Sequence, residues 1–272
     1  MTAQNIPTSL GRLHVEIDGD GEPMLLLPSL LTDHTLYARQ VSHFNGRYMT
    51  IAVDPPGQGR SEPLERCFTF EESARAYVEI LDALQLPWAH LVGNSWGAMI
   101  GGTIAATYPD RVGCSVLMNG TASPAPRWDR LQLALFAHVT RRVGRPLFVR
   151  STIVPKFLGK TTRRQQPALV DDLAAMVRRN NARSASFAVE SIVVRRPDQH
   201  RSFERITTPV LVIAGREDES FPLPELRRMA EAIPEAELVI VEEVGHLAAY
   251  EAPDTINGLI DDFIDRHTTR RS

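Results

Sequence analysis

Cysteine is scarce in this chain: Cys67 and Cys114 are the only two in 272 residues, 47 positions apart and without metal-ligand spacing. That gives a disulfide framework or a cysteine-based zinc site little support, so both cysteines are expected as reduced thiols. Long apolar runs are also lacking, and none approaches the roughly 18 residues of a membrane span. The opening stretch "MTAQNIPTSLGRLHVEIDGDGEP" has no basic start followed by an apolar segment, so it does not read as a secretory leader. A soluble cytoplasmic protein with no membrane partner is the expectation. Net charge is nearly absent as well, at -3.

That small total hides an asymmetry. From Ser123 to Arg205 there are 17 Lys and Arg against 6 Asp and Glu, a net of +11, while the remainder has 13 against 27 and carries -14. A polyanion-binding surface would produce such a contrast. Here, however, the arginines come as pairs (Arg141/Arg142, Arg163/Arg164, Arg178/Arg179, Arg195/Arg196) among helical apolar positions, which reads as solvated helix faces. No nucleic-acid partner is expected. An anionic substrate or an acidic partner surface stays open, as does a homo-oligomer.

What the chain does have is enough apolar residue, 43%, for one large core plus a modest insertion. "RLHVEI" (12–17) and "PMLLLP" (23–28) read as strands joined by the turn "DGDGE", a strong hairpin signal. Further strands are expected at "YMTIAV" (48–53), "AHLVG" (89–93), "CSVLMN" (114–119), "PVLVIAG" (209–215) and "ELVIV" (237–241). Helices are expected at 34–44, 68–86, after Ser95, at 223–233 and from about Asp254 to His267. Short continuous apolar strands alternating with helices predict an α/β fold with a mostly parallel, doubly wound sheet, antiparallel only at the opening hairpin. Residues 123–205 lack a convincing strand and read as an inserted helical cap, with 1–122 and 206–272 forming the core. A cap over strand ends would roof a ligand crevice. Its aromatics, Trp128, Phe136, Phe148, Phe157 and Phe187, are candidates for pocket or core.

The chemistry is signalled by "LVGNSWGAMIGG" (91–102). Gly93-Asn94-Ser95-Trp96-Gly97 fits G-x-S-x-G, in which a serine sits on a sharp strand-to-helix turn with its hydroxyl above the sheet. A side chain at either glycine would collide with the neighbouring strand or the helix. Chance alone would yield about 0.06 such motifs in a chain of this composition, and here an apolar strand precedes it and a helix follows. Serine needs a base and a carboxylate to orient that base, in the chain order serine, acid, histidine. Most of the eight histidines fall in strands, helices or the tail. His246 lies in the loop "VEEVGHLAAYEAPD", where the preceding glycine is read as giving the backbone freedom to aim the imidazole. The acid is expected in "AGREDESFP". Asp218, third after the glycine, has the expected spacing; Glu219 is the rival, and Glu217 is expected to face solvent.

"GNSWGA", "GREDESFP", "GHLAAYEAP" and "DPPGQGRSEP" (54–63) together resemble the nucleophile, acid, histidine and post-strand loop of α/β-hydrolase fold enzymes. The resemblance implies a catalytic triad of Ser95, Asp218 and His246, with Asp54, Gly57, Gly59 and Ser61 in a structural loop. Its members commonly have His-Gly after the first long strand, followed by a residue whose backbone N–H holds the oxyanion. Here these positions read Pro28-Ser29 and then Leu30, so the donors implied are the N–H groups of Leu30 and Trp96, with the Ser29 hydroxyl a candidate third. "PSLLTDHTLYARQV" is similar to the same segment in 3-oxoadipate enol-lactonase-like members, which favours an ester or lactone substrate cleaved through an acyl-enzyme, with no metal or organic cofactor. Ser95 argues against haloalkane dehalogenase and epoxide hydrolase chemistry, which in this fold uses a carboxylate at that position. Three alternatives stay open: meta-cleavage C–C hydrolysis, suggested by Asn94; cofactor-free haloperoxidase or perhydrolase activity; and a non-catalytic ligand-binding protein.

Overall fold

The structure is a computed structural model that describes residues 1–143 and 149–268. Eight strands, β1 (Thr2–Thr8), β2 (Gly11–Asp18), β3 (Glu22–Leu27), β4 (Tyr48–Val53), β5 (Ala89–Asn94), β6 (Val112–Met118), β7 (Val210–Gly215) and β8 (Glu237–Val241), form one sheet. Their order is β1-β2-β4-β3-β5-β6-β7-β8. From β4 to β8 every pairing is parallel, and β5, β6 and β7 are buried along their whole length. Burial on both faces is why those strands read as unbroken apolar runs.

The helices are α1 (Ala38–Phe44), α2 (Phe70–Ala83), α3 (Trp96–Thr107), α4 (Arg127–Val143), α5 (Val154–Phe157), α6 (Lys160–Gln165), α7 (Pro167–Arg179), α8 (Ala182–Val189), α9 (His200–Phe203), α10 (Leu223–Glu231), α11 (Ala248–Glu251) and α12 (Pro253–Thr268). Side-chain alternation along the strands divides the core. Leu25 and Leu27 face α2 and α3 in one cluster; Met24 and Leu26 face α1 and α12 in the other. α2 starts on a capping box, with Thr69 accepting from the Glu72 N–H and Glu72 accepting from the Thr69 N–H.

The expected hairpin between 12–17 and 23–28 does not form. β2 pairs antiparallel with β1 on one side and β4 on the other, and β3 pairs only with β4 and β5. The glycines of "DGDGE" serve a different contact: a Cβ on Gly21 would lie 1.9 Å from the Arg47 carbonyl oxygen, and one on Gly19 2.1 Å from that of Tyr48. They let the turn pass against the chain entering β4, which inserts between the two strands. The antiparallel hairpin is β1–β2, one strand earlier.

Between β6 and β7 the described residues form helices and no strand. Their arginines are not simply solvated. Arg163 pairs with Glu219 (3.3 Å), Arg179 with Asp33 (3.0 Å), and Arg141 and Arg195 both with Glu190. Arg196 is buried, its Nε donating to the Ser123 carbonyl and its guanidinium lying 5.2 Å from the Phe221 ring centre. Thus part of the opposite charge of segment and core is spent across their contact. One apolar stripe does face solvent, along α4 at Trp128, Leu131, Leu135, Val139 and Val143. Phe148 lies outside the described residues; Phe187 packs under Arg141 (4.1 Å), and Phe136 lines a small cavity of about 30 Å³ with Leu31, Ile153 and Val189. Neither cysteine is in a disulfide, and no described helix is long and apolar enough to cross a membrane.

Candidate active site

Ser95 sits between β5 and α3 at φ 56°, ψ -111°, a left-handed backbone that side chains rarely adopt. Such a strained turn persists only when the surroundings over-determine it. Here they do: a Cβ on Gly97 would approach the Leu27 carbonyl oxygen to 1.8 Å, and one on Gly93 the Gly97 carbonyl oxygen to 2.4 Å. Both glycines are therefore required by close approach of helix and strand, as the motif implies.

Three side chains distant in sequence meet at this turn. Ser95 Oγ is 2.7 Å from His246 Nε2, and His246 Nδ1 is 2.8 Å from Asp218 Oδ2. All three residues are buried. Asp218 Oδ1 accepts from the backbone N–H groups of Ser220 (2.7 Å) and Phe221 (3.0 Å), so the carboxylate is held from both sides. An ionised carboxylate only accepts, so His246 Nδ1 carries the hydrogen and Nε2 offers its lone pair to the serine hydroxyl. The rings of Phe157 and Phe221 lie 5.5 and 5.4 Å from the imidazole and shield it from water.

The neighbouring acids part company. Glu219 is exposed and pairs with Arg163. Glu217, expected in solvent, instead accepts from both the N–H and the hydroxyl of Thr161 at 2.8 Å, which lowers its pKa against the opposing effect of burial. The acid loop is thereby gripped by the helical segment on either side of Asp218.

The expectation for Gly245 needs correction too. It is not among the residues with positive φ. Its role is close packing, since a Cβ there would lie 2.1 Å from the Gly159 nitrogen. The His246 loop is then fixed by residues the sequence did not reveal. Asn94 and Asn119 each donate to the His246 carbonyl at 2.9 Å, and Asn119 also donates to the Gly245 carbonyl. Glu251, buried, accepts from the N–H groups of Gly245 (3.1 Å), Leu247 (3.1 Å) and Gly159 (2.8 Å) and from the Thr162 hydroxyl (2.6 Å). Burial raises the Glu251 pKa in spite of those four donors. Changing Glu251 to Gln replaces one carboxylate oxygen by N–H₂; with its carbonyl oxygen kept toward Gly245, Gly159 and Thr162, that group is set against the Leu247 N–H, next to His246. An orphaned donor costs about 1–3 kcal/mol, so the variant should lose about that much in denaturant melts and also lose turnover. Wild-type stability and rate in this variant would show that Glu251 does not position the loop.

On the other side, β3 pairs with β5 so that Leu27 lies opposite Gly93. Leu30, three residues past Leu27, and Trp96, three past Gly93, are thereby brought to the same rim. Among the described residues neither backbone N–H has a protein acceptor, and Trp96 opens a helix whose first N–H groups have none within it. Ser29 needs no glycine-like backbone; it is Leu31 that has φ 66°, its N–H taken by Gln58 Oε1 and its carbonyl by Asn180 Nδ2. The Ser29 hydroxyl is buried and has no partner among the described residues.

Comparison with known proteins agrees with this architecture. The chain is 28% identical over 270 residues to the 2-hydroxy-6-oxononadienedioate/2-hydroxy-6-oxononatrienedioate hydrolase of Paraburkholderia phymatum, covering 93% of this chain and 91% of that one. It is 23% identical to 3-oxoadipate enol-lactonase 2 of Acinetobacter baylyi over 98% of this chain and 96% of that one. Among solved structures it superposes on an esterase from Thermogutta terrifontis with a TM-score of 0.91, at 24% identity and coverage of 98% and 100%, a likeness of fold. The alpha/beta hydrolase fold family model matches residues 22–253. With residues 22–253 matched by the family model and a mostly parallel eight-stranded sheet, this chain belongs to the alpha/beta hydrolase fold family.

Proposed function

We propose that the protein hydrolyses a carboxylic ester or lactone through an acyl-enzyme on Ser95. The observation that carries this reading is the continuous relay from Ser95 Oγ to His246 to Asp218, with contacts of 2.7 and 2.8 Å in a buried setting. Ser95 attacks the carbonyl carbon while His246 Nε2 takes the hydroxyl proton, and Asp218 stabilises the imidazolium that forms. The N–H groups of Leu30 and Trp96 receive the oxyanion, with the Ser29 hydroxyl available as a third donor; one such donor is worth about 3 kcal/mol of barrier. Collapse of the tetrahedral adduct passes the proton from His246 to the leaving alkoxide. Water activated by the same imidazole then frees the acid. In a lactone the leaving group stays tethered to the acyl part, so the product is a hydroxy acid or, from an enol ester, its keto form.

C–C hydrolysis is the second reading, favoured by the Paraburkholderia relative. Against it, the N–H₂ group of Asn94, the residue that suggested it, donates to the His246 carbonyl, and residues 28–33 contain no glycine. A panel of p-nitrophenyl esters, lactones of several ring sizes and a vinylogous diketone separates the two. Turnover of esters or lactones at least about tenfold above the diketone in kcat/KM, a difference of about 1.4 kcal/mol in transition-state binding, is the expected result. The reverse order would overturn the ester and lactone assignment.

A further inference from the structure

Away from the triad, three lone pairs converge at the edge of the sheet. His14 and Glu16 alternate along β2 and so point to the same face, and His34 opens the 3-10 turn that follows the 28–33 loop. Glu16 Oε1 lies 3.2 Å from His34 Nε2 and 3.5 Å from His14 Nε2. Each ring is tied by its other nitrogen, His34 Nδ1 to Asp54 Oδ1 at 2.6 Å and His14 Nδ1 to Asn5 Oδ1 at 3.2 Å. Both partners offer oxygen, so in the neutral rings each Nδ1 carries the hydrogen and each Nε2 turns a lone pair toward Glu16. Three acceptors brought together repel unless a cation lies among them. The exposed Arg60 guanidinium partly answers this, with Nη1 3.0 Å from Glu16 Oε1 and 3.4 Å from His14 Nε2.

We propose that His14, Glu16 and His34 form a binding site for a divalent transition-metal ion, zinc by preference, with Arg60 as its displaceable stand-in. Four-coordinate zinc at about 2.0–2.1 Å from each donor separates neighbouring donors by about 3.3 Å. The two measured separations, 3.2 and 3.5 Å, bracket that edge, and all three donor atoms lie within 4.8 Å of one another. Two imidazoles and one carboxylate leave a fourth position for water. A carboxylate on the far nitrogen of a ligating histidine fixes its tautomer and raises its basicity, which is the arrangement of Asp54 and His34.

Charge points the same way. Among the described residues, the ion pairs of Glu16, Asp33 and Asp54 to arginine are those with Arg60 and Arg179, so with both rings neutral the cluster keeps one negative charge uncompensated. A dication that pushes Arg60 outward balances it. Burial works against a proton on His34, but the hydrogen bond and charges of its acidic neighbours outweigh that and raise its pKa, so a proton is the rival occupant. Ligation would tie β2 to the chain just after the Ser29–Leu30 loop, and His34 and Arg60 both contact Asp54 in the loop after β4. The site is a clasp on the fold and takes no part in acyl transfer.

Tag-free, chelator-stripped protein titrated with Co(II), followed by visible absorption and by thermal melting, tests this. One equivalent should bind with the d–d bands of four-coordinate Co(II), Zn(II) should displace it, and the melting midpoint should rise with metal concentration. Glu16→Gln should weaken binding about a hundredfold or more, since even outer-sphere changes cost ten- to a hundredfold. Arg60→Ala, a surface change that leaves all three donors in place, should tighten binding severalfold. Absence of the four-coordinate spectrum in wild type and Arg60→Ala alike would overturn the proposal and leave a proton on His34 as the occupant. Binding by Glu16→Gln equal to wild type, or no tighter binding by Arg60→Ala, would overturn the assignment of the donors.

Discussion

Ser95→Ala should abolish both covalent labelling by a fluorophosphonate probe and hydrolysis of any ester the wild-type protein turns over. The wild type should take up one probe molecule per chain. Loss of the nucleophile in enzymes of this triad type costs about 10⁶ in kcat, because the base and the orienting acid have nothing left to activate. The change removes one oxygen and keeps the Cβ, so the φ 56° turn and the Gly93 and Gly97 contacts are preserved. The variant should therefore melt close to wild type, which separates lost chemistry from lost folding. A further contrast sharpens the test: Ser29→Ala removes the unpaired hydroxyl near the rim and should leave labelling at Ser95 in place. Labelling of Ser95→Ala at the wild-type rate would place the nucleophile elsewhere.

Legibility of this molecule in its sequence follows the range of the interaction. The elbow is local: strand, serine and helix are consecutive, and the glycines that permit their approach stand at fixed offsets, so Ser95 could be read directly. β4 and β8 are expected at the residues where they occur, because each is a short apolar run, buried in β4 and half-buried in the edge strand β8. Pairing is not local, and there the reading failed. "DGDGE" has the composition of a hairpin turn, but the insertion of β4 between β2 and β3 depends on residues 48–53, which no turn rule consults. β1, whose residues are mostly exposed, gives no apolar pattern to find. Within the site, Glu251 and Glu217 look from sequence like ordinary acids near helix ends; only the approach of Gly159 and Thr161 from a segment far away in the chain turns them into buried acceptors. The one available hint was a lone carboxylate inside the apolar stretch "LAAYEAP" after His246. The arginine pairs do keep a solvent-exposed member each, as expected; what the sequence does not show is that Arg163 and Arg179 also reach Glu219 and Asp33, which lie in other parts of the chain.

The acid is where that distinction between local and distant has a measurable consequence. Asp218→Asn should lower kcat by about 10⁴, while Glu219→Gln should leave kcat and stability close to wild type, within about 0.5 kcal/mol, as surface changes usually do. The reason lies in who donates to whom. Asp218 Oδ1 already receives the N–H groups of Ser220 and Phe221, so an asparagine must keep its carbonyl oxygen there and turn its N–H₂ toward His246. Nδ1 of the imidazole must then accept, which moves the ring hydrogen to Nε2 and points it at Ser95 Oγ. The base loses its lone pair toward the serine without any change in shape, so the loss should fall on kcat with KM little changed. Glu219 has only an exposed pair with Arg163 to give up, and such pairs contribute about 0–1 kcal/mol. A large loss from Glu219→Gln together with a small one from Asp218→Asn would shift the acid by one residue and contradict the 2.8 Å contact on which the assignment rests.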